Sequence, residues 1–260
     1  MSDQYGYAHL MGVKFINITE KRFLDDIIYP KLKNQEKCFI VTANPEFVVA
    51  TRDNPDFKAI VQSSDYVLPD GVGIIHAANF TGQRLVERVT GVDVMYKMLE
   101  HANEHGYSVF FLGAKEDANK KAAEEAKRQF PDLIIAGRRN GYFNRLDPEI
   151  SDYVASTKPD IIFAALGMQR QEEWIYHSMD KFDKGIFIGV GGSLDVLSGN
   201  VSRAPKFWIK FQIEWLYRLI KQPSRLKRDL KVLEFMLLHI PGIKRVMKWL
   251  GFSKSKPRQR

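Results

Sequence analysis

The chain has 260 residues, an apolar fraction of 45%, a formal net charge of +8 and a single cysteine. That is enough sequence for one large α/β domain with room for an appended element, and one cysteine excludes an intramolecular disulfide framework. No basic region followed by an apolar stretch opens the chain between Met1 and Phe15, and the longest apolar run, Ile161 to Leu166, is far below the roughly 18 residues of a membrane span, so neither export nor insertion is expected.

Cys38 lies next to the apolar run Phe39 to Val41 and is expected to be a buried, inert thiol in a reducing compartment. The charge is unevenly placed. Residues 203–260 hold 16 of the 39 Lys plus Arg and 3 of the 31 Asp plus Glu, which leaves 23 basic against 28 acidic residues in the first 202. The chain is therefore read as two units, an α/β domain over 1–202 and a basic appendage over 203–260.

Within the first unit, short apolar runs alternate with helical stretches. Strands are expected at Val13 to Ile16, Cys38 to Thr42, Tyr66 to Leu68, Ser108 to Leu112, Leu133 to Ala136, Ile161 to Ala165 and Ile186 to Val190. Helical candidates between them include Thr19 to Leu32, Val92 to His105, Glu116 to Phe130 and Gln169 to Met179. This alternation predicts an α/β fold, a Rossmann-like, mostly parallel sheet with helices on both faces. After Ala204, Trp208, Phe211, Trp215 and Leu219 recur at three and four residues, and Leu226, Leu230, Leu233 and Leu237 repeat the pattern beyond Pro223. Two amphipathic helices follow, separated or kinked at Pro223 and ended by Pro241 and Gly242.

Ligands of open α/β sheets bind outside the carboxyl ends of the strands. Five strand ends here are polar and Gly-rich: Thr42-Ala43-Asn44-Pro45-Glu46, Pro69-Asp70-Gly71-Val72-Gly73, Gly113, Gly167-Met168-Gln169-Arg170-Gln171-Glu172 and Gly189-Val190-Gly191-Gly192-Ser193. Glycines let backbone approach a ligand closely, and a following helix start offers free N–H groups to phosphate, so the five ends are read as one cleft for a nucleotide diphosphate. Each loop by itself is equally a tight strand-to-helix turn. Asp70 stands between a strand end and a Gly-x-Gly turn. It is placed either to take the proton of an attacking sugar hydroxyl or to cap a helix starting near Gly71.

No Asp-x-Asp occurs, so no metal and no cofactor are implied, and cations from the protein must neutralise a leaving diphosphate. Arg218, Lys221, Arg225 and Arg228 share one helical face if the helix runs through Pro223; the same face could instead attract anionic lipid. His101-Ala102-Asn103-Glu104-His105 spells an inverted zinc-protease pattern, but it sits at a helix end beside Gly106 with no evident third ligand, and is read as a polar helix face. No Gly-x-Ser-x-Gly motif is present.

Taken together, the motifs at Thr42 to Glu46, Pro69 to Gly73, Gly167 to Glu172 and Gly189 to Ser193 resemble, in order and spacing, those of the WecG/TagA/CpsF glycosyltransferase family. The likeness covers essentially the whole chain. It is greatest to the branch serving wall teichoic acid synthesis, which shares the ending Glu214-Trp215-Leu216-Tyr217-Arg218 and a basic appendage. The resemblance implies inverting transfer of N-acetylmannosamine from a UDP-sugar donor to the 4-hydroxyl of an undecaprenyl-diphosphate-linked N-acetylglucosamine. It implies Asp70 as base, Thr42, Asn44 and Gln171 as polar residues of the sugar site, and Arg218, Arg225 and Arg228 as arginines closing over the diphosphate. Gly113, Gly189, Gly191 and Gly192 are expected to bind substrate from the strand-end turns. The family usually has Pro where this chain has Gln169, so a local difference in that turn is expected.

A lipid-linked acceptor also accounts for an amphipathic, aromatic, cationic end with Trp208, Trp215 and Trp249. The expected location is the cytoplasmic face of the membrane, peripherally held by an anionic surface, with no nucleic-acid partner. A site completed only when the appendage docks leaves room for a homo-oligomer that dissociates at the membrane. Three other readings stay open: transfer of a different sugar such as glucose or a mannosamine uronate, a nicotinamide-dependent oxidoreductase, and a membrane-surface module without catalysis.

Overall fold

The computed structural model describes residues 5–144, 147–205, 207–208, 214–221 and 226–239. Six parallel strands, β3 (Lys37–Ala43), β4 (Tyr66–Pro69), β5 (Ser108–Gly113), β6 (Ile134–Arg139), β7 (Ile161–Ala165) and β8 (Gly185–Gly189), form one sheet in the order β4-β3-β8-β7-β5-β6. The Rossmann-like α/β architecture is therefore present. Side chains alternate between faces as the pleat requires. Cys38, Ile40, Val109, Phe111, Phe163 and Ile188 enter one core layer, and Phe39, Val41, Phe110, Leu112, Ile162 and Phe187 the other.

The first layer is covered by the helical segments α1 (Glu20–Phe23) and α2 (Tyr29–Lys33), joined by a π turn at Leu24–Ile28, and by α6 (Gly91–His105), α7 (Glu116–Gln129) and the short α10 (Ser193–Leu197). The second is covered by α3 (Pro45–Asp53), α4 (Pro55–Gln62), α5 (Val72–Phe80), α8 (Pro148–Ser156) and α9 (Arg170–Ser178). Cys38 is wholly buried and burial pushes its thiol well above the ordinary range, as expected of an inert group.

One expected strand belongs elsewhere. The Val13 to Ile16 stretch is β2 (Val13–Asn17), and it pairs only with β1 (Gly6–Leu10), antiparallel, lying beside β4 without joining its ladder. Leu10 pairs with Val13 across Met11 and Gly12, both with positive φ (51° and 85°), the two-residue turn that matches strand twist. Because Met is not a usual residue for that turn, the hairpin carried no Asn-Gly signal.

Three helices share one starting device: Asn44 before Pro45, Asn54 before Pro55 and Asp147 before Pro148 each cap with the side-chain oxygen. Proline at the first helical position loses no hydrogen bond, since that N–H has no partner inside the helix.

Of the basic C-terminal part, α11 (Glu214–Lys221) and α12 (Leu226–His239) are described, on either side of Pro223 as the sequence suggests. The second helix packs on α3 and α5, with Phe235 wholly buried in the second core layer and Glu234 paired to Arg52 at 2.7 Å. Truncating a buried Phe costs about 3–5 kcal/mol. Phe235→Ala is thus expected to release α12 from α3 and α5 while the sheet stays folded. Amides of 226–239 should then exchange hydrogen faster while those of β3, β7 and β8 keep their protection.

Candidate active site

A cavity of about 590 Å³ opens at the carboxyl ends of β3, β4, β7 and β8. Its walls include Thr42, Asn44, Asp70, Gln171, Gly191 and Gly192, so residues separated by up to 150 positions share one space. Thr42 donates from Oγ1 to the carbonyl of Gly189 at 2.8 Å and ties β3 to β8 just below the opening. Asn44 accepts the N–H of Phe47 through Oδ1 at 3.0 Å, which leaves its amide NH₂ as a donor beside the cavity.

Asp70 is half-buried, and its N–H donates to Ala43 at 3.0 Å, carrying the β3–β4 pairing one residue past the strand. The N-cap position of α5 is taken by Gly71, with φ +125°, and Asp70 precedes it by one residue. The glycines here serve loop packing as much as ligand access. A Cβ on Gly73 would lie 2.7 Å from Pro45 Cγ, and one on Gly71 would lie 3.4 Å from Pro45 Cδ. Gly73 is needed for close packing on Pro45, and Gly71 for its positive φ.

Gln171 is 4% exposed and its amide is held at both ends: Oε1 accepts the N–H of Gly191 at 3.2 Å, and Nε2 donates to Glu172 Oε1 at 2.7 Å. The other Glu172 oxygen accepts the N–H of Gln169 at 2.7 Å. Glu172 is wholly buried, and loss of water pushes its carboxyl up to about 7 against the lowering effect of those hydrogen bonds. Gln169 itself has φ +72° and ψ −49°. A proline, fixed near −65°, could not adopt that conformation, so this turn does depart from a Pro-containing one.

Two glycines expected to bind substrate lie elsewhere. Gly113 has no place in the cavity wall: a Cβ there would come within 2.4 Å of the Ala165 backbone, so the residue permits close packing of β5 on β7. Gly189 is buried in β8 and stands behind the site, a Cβ there falling 2.5 Å from Gln171 Nε2. Four of the five strand ends therefore line the cavity, and β5, the neighbour of β7 on the side away from β8, does not. By contrast Gly191 and Gly192 face open space.

Sequence reasoning missed Arg88, which lines the cavity from the irregular stretch between α5 and α6 and pairs with Glu214 of α11 at 3.4 Å. It sits in no strand-end motif, and nothing local in the sequence marks it. Asp195 and Arg203 were also unforeseen as lining residues; burial raises the Asp195 carboxyl while Lys115 lowers it, and Arg203 pairs with Asp93 at 2.5 Å. Arg203, Glu214 and Val232 show that the C-terminal segment forms one wall of the site. Arg225 and the side chains of Arg218 and Arg228 lie outside the described residues.

The His101, Glu104 and His105 ligand atoms lie within 4.8 Å of one another. Tyr29 stacks on His101 at 3.6 Å, and the His101 and His105 rings lie 4.0 Å apart, tilted by 30°. Burial against this stack depresses the His101 imidazolium to about 4, so it is neutral at physiological pH.

The sequence profile of the family described as "Glycosyl transferase WecG/TagA/CpsF family" matches residues 8–247. Similar proteins include one of Bacillus spizizenii, 36% identical over 85% of this chain and 86% of its own length, and one of Bacillus subtilis, 36% identical over 89% and 87%. A Staphylococcus aureus protein is 31% identical over 92% of this chain and 94% of its own. All three carry the name N-acetylglucosaminyldiphosphoundecaprenol N-acetyl-beta-D-mannosaminyltransferase.

Packing around the cavity separates two kinds of glycine. Gly73→Ala should cost about 1–3 kcal/mol, the range for overpacking a tight contact. Gly192→Ala, at φ −76° with nothing near its Cβ, should leave the melting temperature unchanged while placing a methyl at the cavity. Thermal melts of the two variants beside the parent protein make the comparison.

Proposed function

Because the chain belongs to the WecG/TagA/CpsF family and is a glycosyltransferase, we propose that it moves N-acetylmannosamine from UDP-N-acetylmannosamine to the 4-hydroxyl of N-acetylglucosaminyl-diphosphoundecaprenol, with inversion. The observation that carries the reading is the meeting of Asp70, Asn44, Thr42 and Gln171 around one cavity large enough for a sugar nucleotide.

In this reading the acceptor hydroxyl attacks the anomeric carbon from the face opposite the diphosphate. Asp70 takes the hydroxyl proton as the C–O bond forms, and the bond to the diphosphate oxygen breaks to release UDP. A hydroxyl is a poor nucleophile at neutral pH, and a positioned carboxylate base contributes typically ~10²–10⁴ in rate. Asn44 and Gln171 are the amides of the sugar site in this reading, and Asp195 offers a carboxylate acceptor from the cavity wall.

Neutralising the leaving diphosphate falls to guanidinium groups, which grip it with paired hydrogen bonds worth roughly 1.5–3 kcal/mol each. Arg88 stands in the cavity wall, and Arg218, Arg225 and Arg228 belong to the segment whose described part forms that same wall. The lipid-linked acceptor implies work at a membrane surface, with the basic C-terminal part meeting anionic headgroups. Among the described residues no helix is long and apolar enough to cross a membrane.

The deciding assay is UDP release from UDP-N-acetylmannosamine with a lipid-diphosphate N-acetylglucosamine analogue, in the presence of a chelator. Turnover should require both substrates. A faster reaction with UDP-glucose or a UDP-mannosamine uronate would reassign the donor. Asp70→Asn should lower kcat by about 10²–10⁴ and leave donor binding within a few-fold; a variant that turns over like the parent would remove Asp70 from the chemistry. Arg218→Ala combined with Arg225→Ala should abolish most transfer while Phe235 stays in place, an effect that deletion of 203–260 would mix with uncovering of the core.

A further inference from the structure

We infer that Glu172 is a positioning residue for the transfer reaction: its carboxylate locks the Gln171 amide in one orientation and, through it, fixes the Gly191 loop at the cavity. The geometry stands on three contacts already described, Glu172 to the Gln169 N–H and to Gln171 Nε2, and Gln171 Oε1 to the Gly191 N–H. What Gln171 does for the sugar rests on the glycosyl-transfer reading; the lock itself does not.

A carboxylate is needed there for a reason of donor and acceptor count. An ionised carboxyl only accepts, and both its oxygens here face N–H donors. A proton on Oε1 would confront the Gln171 NH₂. The amide would then have to flip, and its NH₂ would meet the Gly191 N–H. A proton on Oε2 would confront the Gln169 N–H and press on a turn already held at φ +72°. Either placement sets donor against donor in a space closed to water, since Glu172 is wholly buried and the Gly189 backbone leaves no room on its side.

Among the described residues no Lys or Arg pairs with the Glu172 carboxyl. β7 and β8, which pack on α9, carry no ionisable side chain. Helix α4 carries Asp56, exposed, and Lys58, whose ammonium lies over Gly12. After α9 come Asp180, exposed, and Lys181, paired with Asp152. On α9 itself Arg170 and His177 are exposed and Glu173 raises the Glu172 carboxyl further. The ionisable groups of the cavity wall are Glu46, Asp70, Asp195 and Glu214 with Arg88 and Arg203, and the two arginines pair with Glu214 and Asp93, not with Glu172.

The sign of the linkage follows. The folded carboxyl keeps its proton up to about pH 7, while an unfolded one loses it near 4.5, so the fold gives up stability as pH rises between those values and gives up no more above 7. Loss of water favours the protonated carboxyl, and the two N–H donors favour the ionised one.

The test is Glu172→Gln, an isosteric change that puts an NH₂ against one of the two donors. The variant should fold, with a melting temperature at pH 8 equal to or above the parent's. Its kcat should fall about 10- to 100-fold, the scale of a misplacement near 1 Å, with KM for the donor changed far less. The parent should show an acid limb in kcat/KM with a midpoint near 7 that the variant lacks, whereas any limb belonging to Asp70 or Asp195 would survive in both. A readout free of the donor's identity is the side-chain amide resonance of Gln171, located by its loss in Gln171→Ala. It should titrate near pH 7 in the parent and stay still in the variant. A Gln171 amide that does not move with pH in the parent, or a variant with the parent's rate and acid limb, would overturn the inference. A parent that transfers no N-acetylmannosamine but whose Gln171 amide titrates would instead overturn the function proposed above.

Discussion

Where four parallel strands end together, the backbone groups leaving the sheet must find partners that are no longer strands, and the site is built from the side chains that supply them. Asn44 takes the Phe47 N–H, Thr42 gives to the Gly189 carbonyl, Gln171 takes the Gly191 N–H and Glu172 takes the Gln169 N–H. An unpaired buried backbone group costs free energy comparable to a lost hydrogen bond, so these positions call for side chains that can bond the backbone. Asn44 keeps its NH₂ as a donor beside the cavity after doing so, while the Gln171 amide is engaged at both ends. Groups tied to backbone in this way cannot easily relax around a ligand, which is the preorganisation that transition-state stabilisation requires.

The same economy shapes the electrostatics. Carboxylates of Glu46, Asp70, Asp195 and Glu214 line the cavity, and the basic lining residues Arg88 and Arg203 are each paired, with Glu214 and Asp93. A diphosphate entering this space must draw a guanidinium away from its carboxylate or meet further cations. Glu214 belongs to the C-terminal segment, so the partner of Arg88 in the cavity wall is supplied by α11.

That segment is more than a basic surface. Phe235 is buried in the core layer beneath α3 and α5, and Val232 reaches the cavity, so α12 contributes both apolar packing and part of the site. Helix α3 begins with the Asn44 cap and α5 follows Asp70, so the helix that docks on them rests on the two elements that carry polar residues of the cavity wall. Displacing α12 would loosen their common packing together with the wall.

Much of the architecture was legible without coordinates. Alternating runs such as Cys38 to Thr42 and Ile161 to Ala165 became strands at those places because a fully buried parallel strand needs an unbroken apolar stretch that few other elements need. The polar residues after them pointed to a cleft for the same reason, since strand ends of such a sheet are where side chains escape the core. Hairpin β1–β2 was half missed because Met11 takes a backbone conformation that only glycine or asparagine advertises. Gly113 was placed with the substrate because a sequence shows that a glycine follows a strand and not which strands stand between it and the others; the order β8-β7-β5 decided that. Arg88 and the Glu172–Gln171–Gly191 connection were invisible for a related cause, being contacts between segments far apart in the chain or between neighbours whose burial depends on the whole fold. The local pattern determined the elements, the strand ends and the family; only tertiary packing decided which ends meet, which glycines are filled by neighbouring backbone, and which carboxyl is sealed from water, because each depends on distances that chain order does not encode.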